Sequence, residues 1–245
     1  MRTTALTALI DADSRLLWRD PLLGWVMLLP VGLALLFRLL IPKVSELLLA
    51  AGGFDLRSLY PLIMGGYLMT APGIVGMVIG FLFLDERDAR TLTALRVTPL
   101  SMRRYLAYRV ALPLLVGTGS TLVGYPLTGI TPLRFTALLA IALVAGLSAP
   151  SLALVLAAAA PNKVAGFAVV KVLNLVNLLP VAAFFVPLPL QLMAGVLPAY
   201  WPMRALWSAA AGEPYVVYLM VGAIVGIVAL VLAASIFERR LLRRG

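Results

Sequence analysis

Long apolar blocks alternate with short polar segments along this chain, and six of the blocks are long enough to cross a lipid bilayer. A membrane-spanning helix needs about 20 apolar residues, and a helix satisfies its own backbone hydrogen bonds where water is absent. The predicted spans are residues 22–41, 59–84, 106–128, 135–159, 164–186 and 214–237. Prolines at positions 30, 72, 113, 150 and 180 lie inside these spans and predict kinks or local breaks. The pattern therefore predicts one all-α, polytopic membrane domain that covers residues 1–245.

Two further segments stand beside the spans. In residues 1–21, apolar side chains recur at helical spacing before an Asp-Pro break, which predicts an amphipathic helix in the membrane interface. An ordinary frayed start is the alternative. Residues 187–213, between spans five and six, are rich in proline and aromatic residues. This segment is too apolar for a free loop and too broken for a span, so we expect short re-entrant or interfacial helices on the outer side.

The amino-acid composition excludes several kinds of catalytic and metal-binding site. The chain is 62% hydrophobic and 12% charged, and it contains no Cys and no His. Disulfides, thiolate catalysis, His-centred metal sites and His acid–base relays are therefore excluded, and we expect neither a metal site nor a catalytic residue. The formal charge of +10 does not indicate nucleic-acid binding, because the basic residues flank the spans instead of forming one basic face.

The distribution of Lys and Arg predicts the orientation of the chain. With the N-terminus inside, only five of the twenty basic residues fall in the outer segments: Arg38, Lys43, Arg57, Arg134 and Arg204. Positive charge accumulates on the cytoplasmic side of membrane proteins. We therefore expect a multi-pass protein of the cell membrane, in a bacterium, with both termini in the cytoplasm.

The charged segment of residues 85–109 lies between spans two and three and carries the most informative pattern. Residues 86–97 fit a short helix with acidic residues in its first turn and Arg96 in its last, as the helix dipole favours. Leu92 and Leu95 would share one face, Pro99 would stop the helix, and Ser101 would cap the next one. Such a helix is suited to insert into a groove on a soluble partner. A solvated loop that only anchors the topology is the alternative.

The string ERDARTLTALRVTPLSMRRYLAYR resembles the loop between the second and third spans of type-2 ABC exporter permeases. In that family the loop forms a coupling helix that docks on the ATPase subunit. The chain matches it at Glu86, Arg87, Thr91, Leu92, Leu95, Thr98, Pro99, Leu100 and Ser101. It departs at Arg90, where the family usually has Gly, so the resemblance does not fix where the helix begins. The docking residues expected from pattern and resemblance together are Glu86, Arg87, Asp88, Thr91, Leu92, Leu95, Arg96, Val97, Thr98, Pro99, Leu100 and Ser101.

Residues 162–204 further resemble permeases of fluoroquinolone or drug exporters. The chain has no G-x-x-x-x-G-K-[ST] phosphate loop, so the family resemblance implies that ATP and Mg²⁺ bind to a separate ATPase subunit, present in two copies. It also implies a second copy of the permease, most simply in a homodimer. Closure of the ATPase dimer would then tilt the spans through the coupling helices.

Two sets of residues are candidates for lining the transport pathway. Lys171, Asn174 and Asn177 recur every three residues in span five, and polar side chains in a span usually face the bundle interior or a water cavity. The alternative is that Lys171 snorkels to the surface and the asparagines bond neighbouring helices. Met64, Tyr67 and Met69 in span two would suit an adaptable cavity, although packing is the alternative there as well.

The sequence thus predicts a transport subunit without enzymatic chemistry of its own. It would move a hydrophobic or amphipathic compound, such as a drug-like molecule or a lipid, out of the cell. An ion-coupled carrier or channel is a first alternative, although carriers usually keep carboxylates inside their spans, and these spans have Asp or Glu only near their ends. An intramembrane enzyme is a second alternative, which the absence of His, Cys and such carboxylates disfavours.

Overall fold

The computed structural model describes residues 21–88 and 102–244, with side chains described for residues 25–86 and 105–240. In chain order, the α-helices are α1 Pro21–Gly52, α2 Tyr60–Asp88, α3 Met102–Thr128, α4 Phe135–Gly146, α5 Ser148–Ala159, α6 Lys163–Leu178, α7 Leu188–Gln191, α8 Tyr200–Ala210 and α9 Val216–Arg244. Short 3₁₀ helices span Leu56–Leu59, Leu179–Phe185 and Leu192–Val196. The described residues contain six helical segments that are long and apolar enough to cross a membrane. The predicted all-α, six-span fold is confirmed.

The first span is longer than predicted. Its apolar helix runs from Trp25 to Gly52, whereas the sequence predicted an end at residue 41. The helix continues through Pro42, which lies inside α1 together with Pro30. A proline removes one backbone hydrogen bond and kinks a helix, which membrane helices tolerate. The 28 residues extend about 42 Å at 1.5 Å per residue, more than the roughly 30 Å of a hydrocarbon core, so the helix tilts or projects beyond it.

The fourth span consists of two helices, α4 and α5, that meet at Leu147. The break follows from Pro150, because this residue has no N–H to donate to the carbonyl of Gly146 one turn earlier. Two hydroxyls compensate nearby: Ser148 Oγ donates to the Ala145 carbonyl at 2.6 Å, and Ser151 Oγ donates to the Leu147 carbonyl at 2.9 Å. The local break that the proline predicted is therefore present in the middle of this span.

Helix α2 forms the centre of the bundle, whereas α1, α6 and α9 lie at its periphery and expose large apolar side chains. Gly76 and Gly80 allow α2 to pack closely on α5. A Cβ atom at Gly76 would lie 2.6 Å from the Ala149 carbonyl oxygen, and one at Gly80 would lie 2.6 Å from Leu156 Cδ2. This small-residue motif therefore serves a contact inside the subunit.

The bundle has two hydrophobic clusters, one toward each end. The first joins α2, α5 and the last turns of α9 through residues such as Phe83, Leu154 and Phe237. The second surrounds α8 and includes Tyr200 and Trp207. We call the second end the cap end and residues 179–210 the cap. Short helices were predicted for residues 187–213; the structure has them, and they begin earlier, at Leu179, because span five tightens into a 3₁₀ helix around Pro180. The depth of the cap in a bilayer stays a prediction.

Candidate functional site

The predicted docking segment is described only at its beginning. Thr91, Leu92, Leu95, Arg96, Val97, Thr98, Pro99, Leu100 and Ser101 lie outside the described residues, as does the predicted interfacial helix up to residue 20. Glu86, Arg87 and Asp88 form the last turn of α2. These three residues continue the second span and α3 starts at Met102, while the docking helix itself stays a prediction.

Glu86 is held inside the protein by residues of α3. The carboxylate is 8% exposed and the guanidinium side chain of Arg109 is fully buried. Arg109 Nη2 donates to Glu86 Oε1, and the Tyr105 hydroxyl donates to Glu86 Oε2 at 2.7 Å. Because a buried charge without a partner is very costly, Glu86 and Arg109 hold the ends of α2 and α3 together.

Aromatic rings surround the Arg109 guanidinium. Its central carbon lies 5.1 Å from the ring centroid of Phe83, 5.3 Å from that of Tyr105 and 5.5 Å from that of Tyr108. These distances are within the range of cation–π attraction, which strengthens when the cation is removed from water. The rings therefore exclude solvent from the ion pair and stabilise its cation.

Two more contacts join neighbouring elements at the same end of the bundle. Lys163 Nζ, at the start of α6, lies 2.8 Å from Asp85 Oδ1, and both side chains are partly exposed. Arg240 Nη1, near the end of α9, donates to the carbonyl of Ala158 in α5 at 2.5 Å. We call Asp85, Glu86, Tyr105, Arg109, Lys163 and Arg240 the polar clamp, and this end of the bundle the clamp end. The clamp links five helices directly beside the residues that enter and leave segment 89–101.

Sequence reasoning missed the clamp. It counted Arg109, Lys163 and Arg240 as orientation charges and placed Glu86 on a docking surface. A signal was present, because Tyr105 and Arg109 are four residues apart and thus share a helix face, while Glu86 lies at the matching end of the preceding antiparallel span. An arginine between aromatic residues at the end of a span indicates a buried cation with a nearby acidic partner.

The structure separates the predicted pathway residues. Met64 and Tyr67 are buried in the cluster at the cap end, and the Tyr67 hydroxyl donates to the Pro30 carbonyl of α1 at 2.8 Å. These contacts favour the packing alternative for both. Lys171 is exposed on the outer face of α6, whereas Asn174 and Asn177 are half-buried. Steps of three residues rotate by about 60° around a helix, so Lys171 and Asn177 face directions about 120° apart.

Asn174 and Asn177 face different surroundings. A Cβ atom at Gly73 of α2 would lie 3.2 Å from Asn174 Oδ1, so Asn174 packs closely on the central helix. Asn177 instead lines a cavity of about 220 Å³ that lies between α2, the α4–α5 break, α6, α8 and α9. Met69, Ser148, Ser151, Pro202 and Ala229 line it as well. The chain therefore has a cavity near the middle of its spans, and two of the predicted pathway residues, Met69 and Asn177, contribute to it.

The cap closes the other end of the bundle through packed aromatic residues. Trp201 Nε1 donates to the Gly195 carbonyl at 2.9 Å, and the Trp201 and Tyr200 rings meet edge to face. Burial raises the pKa of the Tyr200 hydroxyl, while the nearby positive charge of Arg204 opposes that shift. The Arg204 guanidinium lies over the Tyr218 ring of α9 at 5.0 Å. These contacts hold α8 against α9, and Pro198 and Pro202 line the cavity at the cap end.

Similarity to known proteins identifies the family. A family model described as "Fluoroquinolones export permease protein Rv2686c-like" matches residues 13–234. The chain belongs to the Rv2686c-like family. Two relatives, named "Fluoroquinolones export permease protein MT2760" and "Fluoroquinolones export permease protein Rv2686c", come from Mycobacterium tuberculosis strains CDC 1551 / Oshkosh and ATCC 25618 / H37Rv. Each is 39% identical to the chain over 223 residues, covering 90% of this chain and 88% of the relative.

Membership of the Rv2686c-like family confirms the resemblance to drug-export permeases that the sequence indicated. The six apolar helices show that this Rv2686c-like chain is a multi-pass membrane protein. The docking role of segment 86–101, the ATPase subunit, the second permease copy and the orientation of the termini stay predictions.

Proposed function

We propose that this chain is the membrane-spanning permease subunit of an ATP-driven exporter, and that it moves drug-like amphipathic compounds of the fluoroquinolone class out of the cell. The similarity to the two relatives named as fluoroquinolone export permeases, at 39% identity over nearly the whole chain, carries this proposal. Both termini and the clamp end lie in the cytoplasm. Two permease copies form a homodimer, and each binds one ATPase subunit that supplies the sites for ATP and Mg²⁺.

The polar clamp supports the proposed coupling. Segment 89–101 connects α2 to α3, and Glu86 and Arg109 pair the two helices just before and just after it. Without this ion pair, a force applied to the segment would bend α2 or α3 alone and would not move the two helices together. With the ion pair in place, α2 and α3 move together, and α2 packs on α5 along its length. Motion of a docked ATPase would thereby reach the centre of the bundle.

The test begins with affinity purification of the tagged full-length chain from native membranes. The proposal requires an ATPase with a phosphate loop to co-purify. Inverted vesicles that contain both proteins should then accumulate the fluoroquinolone norfloxacin when ATP and Mg²⁺ are added, and accumulation should persist after an ionophore abolishes the proton gradient. ATP-independent accumulation that the ionophore abolishes would assign the chain to ion-coupled carriers instead.

A further inference from the structure

The cavity contains the backbone irregularity of span four. Irregular backbone at membrane depth is tolerated only where it is buried in protein or lines a cavity, because lipid offers no hydrogen bonds. Leu147, where α4 and α5 meet, and the neighbouring Ser148 both line the cavity. Pro150 maintains the break at a structural cost, since a continuous helix would satisfy one more carbonyl.

The cavity lies where two peripheral helices are separated. Both α6 and α9 contribute lining residues, including Asn177 and Ala229, yet the two helices do not pack against each other. Both are mostly exposed, and Asn177 and Ala229 are half-buried. Because these two lining residues are only half-buried, the cavity reaches the surface of the bundle between α6 and α9.

The chemistry of the lining defines the ligand class. Most lining residues are apolar, and none is charged, so a ligand with a net charge would lose its hydration without gaining an ionic partner. Ser148 and Ser151 donate their hydroxyl protons to backbone carbonyls, which leaves their oxygens to accept hydrogen bonds. The Asn177 amide has no hydrogen-bond partner among the residues that the structure describes, so both its donor and its acceptor are available.

We propose that this lateral cavity binds one flat, amphipathic molecule in its uncharged form, which enters from the bilayer between spans five and six before it is exported. The proposal rests on the proposed function for the fate of the ligand. The apolar walls enclose its ring system, and Asn177, with the two serine oxygens, bonds its polar groups. At about 220 Å³ the cavity is slightly smaller than pockets that enclose whole drug-sized molecules, which start at about 300 Å³, so it holds the ring system and leaves a substituent outside.

Binding of norfloxacin to the assembled complex in lipid nanodiscs tests the proposal, with empty nanodiscs measured to subtract partitioning. Ala229→Phe fills the cavity and should weaken binding at least about tenfold, as expected for steric exclusion from an apolar pocket. The matched control is Val228→Phe, which adds the same ring one residue away on the exposed face of α9 and should bind like the wild type. Asn177→Leu should weaken binding about five- to tenfold through lost hydrogen bonds, whereas Asn174→Leu should have little effect.

Several results would overturn the lateral cavity. The first is that the wild type shows no saturable norfloxacin binding. The second is that Ala229→Phe and Asn177→Leu bind norfloxacin as tightly as the wild type. The third is that each variant and its control lose the same amount of affinity. Native mass spectrometry that finds a phospholipid in the wild type and none in Ala229→Phe, with norfloxacin binding unchanged, would assign the cavity to lipid and also overturn it. The proposed function is judged separately: saturable binding without ATP-driven export contradicts that function alone, and normal export by Ala229→Phe contradicts the cavity alone.

Discussion

Polar side chains at the clamp end are bonded to other protein groups, whereas polar side chains around the cavity are available to a ligand. At the clamp end, the Glu86 carboxylate accepts bonds from Arg109 and Tyr105, and aromatic rings enclose the guanidinium. Around the cavity, the Asn177 amide faces open space and the helix of span four is interrupted. Satisfied buried networks fix one arrangement, whereas unpaired polar groups beside a cavity are available to a ligand. The comparison suggests that the clamp end moves as one unit and that the middle of the bundle adapts to cargo.

The largest effect is expected from breaking the clamp on one side. Glu86→Leu leaves the Arg109 charge buried without its carboxylate, which typically costs about 3–5 kcal/mol. We expect a large loss of thermal stability in detergent, together with loss of ATP-dependent norfloxacin transport. Glu86→Leu combined with Arg109→Leu should recover most of the stability, because the buried guanidinium is removed together with the carboxylate. A single variant as stable as the wild type would show that the pair does not hold α2 to α3.

A smaller effect is expected from disturbing the close packing between the two regions. In Gly76→Ala the new Cβ atom meets the Ala149 carbonyl oxygen, which is backbone and must be displaced, at a typical cost of about 1–3 kcal/mol. Gly119→Ala is the control, since a Cβ atom there meets nothing within 4 Å. Thermal unfolding of both variants measures the difference. Equal stability would mean that α2 and α5 are not closely packed.

The smallest effect is expected at the exposed part of the clamp. Asp85→Asn removes the partner of Lys163, but both side chains are partly in contact with solvent, where ion pairs contribute about 0–1 kcal/mol. We expect a change in unfolding temperature close to the experimental error, and transport close to that of the wild type. A loss as large as that of Glu86→Leu would remove the distinction between the buried and the exposed halves of the clamp.

How much the sequence predicts depends on whether the interaction is local. Apolar length gave the number of spans and placed the fourth at residues 135–159, as the structure has it, because hydrophobic length is a property of one segment. The end of α1 was missed because Pro42 is tolerated inside a membrane helix. The burial of Glu86 depends on Arg109, 23 residues away, which neither the local pattern nor the resemblance to exporter permeases indicated.

The cavity was even harder to predict from the sequence, because it depends on contacts between separate helices. Asn177 was identified as a pathway candidate because an amide in a span is unusual, but Lys171 and Asn174 carry the same signal and do not line this cavity. Nothing in the local sequence marks Ser148, Ser151 or Ala229 as residues that line a cavity. Only the packing of α5, α6 and α9 brings these side chains together, and no single segment encodes that arrangement.

The central claim is that an ATPase drives this bundle through segment 86–101, and the number of norfloxacin molecules transported per ATP hydrolysed tests it most directly. Leu92→Asp combined with Leu95→Asp places two carboxylates on the proposed docking face. Thr93→Asp combined with Ala94→Asp, which adds the same charge to the same segment and keeps both leucines, is the matched control. We predict that the ratio falls close to zero in the leucine variant and stays near the wild-type value in the control. A wild-type ratio in the leucine variant would contradict the account.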